Sequence, residues 1–201
     1  HTSRAATKKK LPTLKPWPET SLKRQWLLPF AAIAVPILHN RGFPASVALG
    51  MAATESGYGS AMPDNPWGVR GKGDAGTNTI TTQEDFGAGK VTLPDQKFAK
   101  YSTVEAATNA YCDFLSGTRY RNGWSLRDGA DDGLWLLWLW GMGYASGSGY
   151  AQTASGASRR IAVELDDPEF VVTWDANKAA MAKKIGAKVF GKARREETVR
   201  L

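Results

Sequence analysis

Between residues 26 and 40 apolar positions recur at helical spacing. Pro29 sits near the start of that run, where proline is tolerated, and Pro36 predicts a kink or a break. Arg41-Gly42-Phe43-Pro44 then turns the chain into a second helix, with Pro44 in its first turn. Residues 47–59 of this helix are small and apolar throughout, which reads as buried, and Gly57 and Gly59 end it as glycines end helices. Glu55 is the only charge in the segment. A carboxylate in the last turn of a buried helix meets the negative end of the helix dipole and an apolar wall, and both favour the protonated form. That suits a general acid working near neutral pH; the alternative is a helix-end glutamate that simply faces water.

Further along, the rhythm changes. Residues 60–76 are rich in Gly, Pro, Asn and Asp and read as loop, with Trp67 either a sugar platform or a plug in the core. Residues 77–86 are strand-like, Gly87-Ala88-Gly89 turns them, and residues 97–101 give a second strand with alternating character. Residues 103–117 form a helix capped by Thr103 or Ser102, with Ala106, Ala107, Ala110, Tyr111, Phe114 and Leu115 as its apolar stripe. The tryptophan-rich run 134–140, bounded by Gly133 and Gly141, is expected to be a short buried helix. A tyrosine-bearing loop from Gly143 runs into another helix after Tyr150, and Asp175 caps a last, basic helix with Met181, Ile185 and Val189 on one narrow edge. No apolar run reaches the length of a membrane span, and no secretory apolar region opens the chain.

Composition changes this picture in two places. With 42% hydrophobic and 22% charged residues over 201 positions the chain is globular, with length for one domain and its tails. Cys112 is the only cysteine, so no intramolecular disulfide forms, and it cannot build a zinc site with the two histidines; it reads as a buried structural thiol. The formal charge of +7 is concentrated at the ends: residues 1–24 hold seven Lys/Arg against Glu19, and residues 176–201 hold eight against Glu196 and Glu197. The body between is acidic. Expected boundaries are therefore a basic extended arm at 1–24, a catalytic domain at 25–165 and a C-terminal extension with a basic helix at 166–201.

Four stretches in order resemble glycoside hydrolase family 73, the bacterial endo-β-N-acetylglucosaminidases that include autolysins and the hydrolase domain of the flagellar rod-assembly protein. Ala53-Thr54-Glu55-Ser56-Gly57-Tyr58-Gly59 is similar to the family's A-x-E-S-G-W-G, and Asn65-Pro66-Trp67-Gly68-Val69-Arg70-Gly71 to N-L-F-G-I-K-G. Ile80 to Glu84, leading to Phe98-Ala99-Lys100-Tyr101-Ser102, resembles a T-x-E strand followed by F-x-x-Y-x-S. Gly143-Tyr144-Ala145-Ser146 with Tyr150-Ala151 resembles G-Y-A-T-D-P-x-Y-A, with Gly147 in place of the aspartate.

The resemblance implies an α+β, lysozyme-like fold: a mostly helical body with one β-hairpin flanking a groove for peptidoglycan glycan strands. It makes Glu55 the general acid and Glu84 the second carboxylate, with Asp85, where the family has an aromatic residue, a competitor for that role. It places Trp67, Tyr144, Tyr58, Asn65 and Tyr150 as substrate-binding residues and implies neither metal nor organic cofactor. One glutamate on such a fold also suffices for a lytic transglycosylase, and a structural or virion-associated protein that has kept the fold is a reading of another class. The basic ends suit anionic wall polymers; the C-terminal helix lacks the interleaved aromatics of single-strand binders, which argues against nucleic acid. The expected place of action is extracellular or periplasmic, at the cell wall, reached by secretion or from a virion.

Overall fold

The computed structural model describes residues 14–85, 90–121, 123, 132–145, 147, 149–167 and 180. Among the described residues six helices and one hairpin follow in the order α1 (Leu22–Asn40), α2 (Ala45–Ser56), β1 (Gly76–Asp85), β2 (Lys90–Lys100), α3 (Val104–Ser116), α4 (Thr118–Arg121), α5 (Asp132–Gly141) and α6 (Tyr150–Glu164). Of the expected basic helix after Asp175 only Ala180 is described, and it is helical; the rest lies outside the described residues.

Of the kink or break expected at Pro36, the break does not occur: α1 runs continuously through both prolines. Pro29 and Pro36 stand seven residues apart on the solvent face, opposite the buried stripe of Leu27, Phe30, Ala31, Ala34 and Leu38. On that face the carbonyls left without a donor can turn to water, so neither proline ends the helix.

Helix α2 is the centre of the body. Ten of its twelve residues are buried, on all sides rather than along one stripe. Gly50 permits this: a Cβ there would lie within 2.6 Å of the Ser158 backbone nitrogen, so α2 and α6 meet backbone to backbone. Gly57 ends the helix in the left-handed conformation, returning its N–H to the Ala53 carbonyl. Around α2 the core gathers α1, α3 with Tyr111 and Cys112, and α5 with Trp135 and Trp140. Thr103 caps α3 by accepting from the Ala106 N–H. Phe114, expected in the apolar stripe of α3, is instead 41% exposed and rests against Tyr120 and Tyr144.

The second strand begins earlier than its alternation suggested, and the two strands pair antiparallel from Gly76↔Lys100 to Asp85↔Lys90. Register slips by one residue between Ile80↔Gln96 and Thr82↔Leu93, a bulge on β2 that places Asp95 at φ +53°. The loop after α2 ties the hairpin to the body: the Ala99 N–H donates to Val69, and Arg70 bridges to Phe98.

Part of the expected arm is folded against the body. The Trp17 N–H donates to Glu164, which also receives Arg24 at 3.1 Å, and the Glu164 side chain is fully buried. The Trp17 ring meets Tyr58 edge-on at 5.6 Å, with Arg160 over it at 5.2 Å.

Candidate active site

Helix α2, the loop after it, the hairpin and the loop before α6 enclose a cleft of about 660 Å³. Glu55 lies at its floor, one residue before the end of α2. The carboxyl is part-exposed to the cleft and otherwise surrounded by protein. Burial pushes its pKa up to about 7; the neighbouring Tyr150 hydroxyl pulls it back in part, and the charge of Glu84 pushes it up again. Glu55 is thus half protonated near neutrality.

What faces that carboxyl is kept clear. Gly68, at φ +63°, has no side chain to occupy the space in front of it; a Cβ there would stand 3.5 Å from Glu55 Oε2. Tyr144 and Tyr150 line the same end of the cleft. The Tyr144 hydroxyl donates to the Trp67 carbonyl at 2.9 Å. Tyr150 comes near enough to Glu55 to influence its titration, yet its hydroxyl completes no well-formed hydrogen bond with any described group. Burial and the charge of Glu55 hold both phenols well above the ordinary tyrosine range, so both keep their protons.

The hairpin supplies the other wall. Ile80, Thr82 and Glu84 fall at alternate positions of β1 and all line the cleft, with Leu93 and Phe98 from β2. Glu84 pairs with Arg70 at 3.2 Å. Asp85 closes the strand against Lys90 through its backbone, and its side chain is outside the described residues.

Three residues expected to bind substrate stand elsewhere. Trp67 is 2% exposed in the core, stacked on Tyr111 at 4.7 Å, with its indole N–H donating to the Ala48 carbonyl. Its loop is anchored by that ring rather than decorated with it. Asn65 is fully buried; its amide donates to Val69 and Ala99 and accepts from the Val69 N–H, pinning the loop to β2. Tyr58, at φ +57°, turns away from the cleft toward Trp17 and Trp26, beneath Lys23. Motif position alone does not separate a side chain that touches substrate from one that fixes the loop. Gly68 and Arg70 were not singled out from sequence, although both lie inside the second motif, because their function depends on what the fold brings opposite them.

A second, more apolar cleft of about 450 Å³ lies along α1 between Leu28, Val35, His39 and Leu165; it contains neither carboxylate of the first.

Comparison with solved structures finds the same fold. The catalytic domain of the autolysin Auto from Listeria monocytogenes superposes with a TM-score of 0.59 at 19% identity, over 77% of this chain and 92% of that one. A peptidoglycan hydrolase mutant from Sphingomonas sp. A1 gives 0.53 at 21%, over 66% and 91%. A C-terminally truncated glycoside hydrolase domain of FlgJ from Salmonella typhimurium gives 0.52 at 23%, over 69% and 97%. No curated protein matches the chain. The model of the Glucosaminidase family, described as mannosyl-glycoprotein endo-beta-N-acetylglucosaminidase, matches residues 31–161. That span takes in α2, the hairpin, both cleft tyrosines and most of α6, well over half of the sequence, and the chain belongs to this family of glycoside hydrolases.

Proposed function

We propose that the protein hydrolyses peptidoglycan, cutting the β-1,4 bond that follows N-acetylglucosamine, with Glu55 as the general acid and Glu84 as the second carboxylate. The observation that carries this reading is the protonated character of Glu55 at the floor of a cleft whose opposite wall bears Glu84. The choice of polymer is supported by the similar structures, one an autolysin and another a peptidoglycan hydrolase.

The chemistry follows from that geometry. As the bond between the anomeric carbon and the glycosidic oxygen breaks, the Glu55 carboxyl gives its proton to that oxygen, the leaving saccharide departs as an alcohol, and positive charge develops on the ring of the sugar that keeps the anomeric carbon. Water then bonds to the anomeric carbon. Its proton passes to a carboxylate, Glu84 if that group acts as base, and Glu55 is restored from solvent. Tyr150, which keeps its proton, can donate to the N-acetyl group or the water, whereas the Tyr144 hydroxyl, whose proton is given to the Trp67 carbonyl, can meet them only as an acceptor. A carboxylate on the facing wall favours hydrolysis over transglycosylation, in which one glutamate suffices. Action at the cell wall follows from the substrate, and among the described residues no helix is long and apolar enough to cross a membrane.

The test is Glu55→Gln assayed on purified walls, with the new ends identified. The amide is nearly isosteric and cannot donate the proton, so activity should fall by about 100-fold or more. Wild-type protein should release reducing-end N-acetylglucosamine. Retention of more than about a tenth of activity by the variant would sink the role of Glu55; anhydro-muramic ends would identify a transglycosylase.

A further inference from the structure

Arg70 is the only cation among the described residues that line the cleft, and it does not point freely into it. Its guanidinium is held on three sides: it lies over the Phe98 ring at 5.0 Å, one amino group donates to the Gln96 carboxamide, and the other reaches Glu84 Oε1 at 3.2 Å. Gln96 is itself fixed beside the β2 bulge, its amide donating to the Pro94 carbonyl at 2.9 Å. A planar fork can stack on a ring and donate in two directions at once, which an ammonium cannot.

We propose that Arg70 is a positioning residue for hydrolysis, a clamp that sets the Glu84 carboxylate against the cleft by tying it to β2 and to the loop after α2. The proposal rests on the assignment of Glu84 as second carboxylate. It rests also on the place of Arg70 in the fold. A two-stranded hairpin has little rigidity of its own, and β1 ends only one residue beyond Glu84. The loop that carries Arg70 is bound to β2 by its backbone, through Val69 to Ala99 and Gly71 to Lys97. The side chain therefore carries that anchorage across the hairpin to the carboxylate, and its removal leaves the backbone anchorage in place.

A double-mutant cycle on soluble, uncrosslinked glycan strands tests this, with kcat and KM measured for wild type, Arg70→Gln, Glu84→Gln and the double variant, and thermal unfolding recorded for each. The expected result is a fall in kcat of about tenfold or more for Arg70→Gln with KM within about twofold, since general base assistance typically supplies about 100-fold or more and a misplaced base forfeits part of it. In the Glu84→Gln background the same change should alter kcat by less than about twofold, because nothing remains to be positioned. Arg70→Lys should recover part of the lost kcat, keeping the charge without the fork. Equal losses in both backgrounds, a rise in KM with kcat unchanged, or wild-type turnover by Arg70→Gln would each overturn the clamp; the second would make Arg70 a substrate contact. Full activity of Glu84→Gln overturns the assignment of Glu84 and the clamp with it.

Discussion

Glu55 carries a conflict that one substitution can expose. In the unfolded chain its carboxyl titrates near the ordinary 4.5, and in the folded protein near 7. Between those values the folded form holds a proton that the unfolded form has released, so stability falls as pH rises from about 4.5 to about 7 and levels off above. Glu55→Gln removes that loss: its melting temperature should exceed wild type near pH 8 and converge with it near pH 4, while wild-type hydrolysis falls as pH rises through about 7. A variant no more stable than wild type near pH 8 would show that burial does not strain this carboxyl. Trp67 makes the opposite case. Stacked on Tyr111 and bonded to Ala48, it is structural, and Trp67→Ala should cost about 3–5 kcal/mol in a denaturant titration. From sequence its alternatives were even, because a tryptophan among Gly, Pro and Asn fits a sugar platform and a core plug alike; what decides is Tyr111, far away in the chain.

At the scale of elements, most of the framework was legible. The small apolar run, its lone glutamate and its terminal glycines describe α2, whose conformation is set within the segment itself. The hairpin followed from alternation in the same way, but the bulge at Asp95 did not, since a one-residue slip is a property of two strands together. The absence of a break at Pro36 was hidden for a related reason: whether a proline breaks a helix depends on which face it occupies, and that face is fixed by the core. The contact between α2 and α6 was equally hidden, because Gly50 looks like any other small residue in its run. Gly50→Ala should destabilise by about 1–3 kcal/mol, seen as a lower urea midpoint with an unchanged slope, since Ser158 belongs to a helix backbone that cannot yield cheaply. A midpoint equal to wild type would mean that the crossing is looser than the Gly50–Ser158 approach implies.

For the whole molecule, the folded part of the N-terminal segment changes what the basic arm can be. Removing residues 1–24 would delete both Trp17 and Arg24, leaving the buried Glu164 carboxylate without either donor, at a cost on the order of 3 kcal/mol. Removing only residues 1–13, with Arg4 and three lysines, keeps Trp17 and Arg24 and should reduce pelleting with intact walls at low salt if the arm contacts anionic wall polymers. Equal pelleting of full-length and shortened protein at low salt would end that role. The same clasp also has a consequence in time. Trp17 and Glu164 are 147 positions apart, and Gly50 waits on Ser158 in the same way. At about 5–20 residues per second, a ribosome would expose α2 on the order of ten seconds before its covering helix emerged. Through that interval a helix buried at ten of its twelve positions stands uncovered beside an unfinished cleft, so the hydrolase can become competent only once the chain through α6 has emerged.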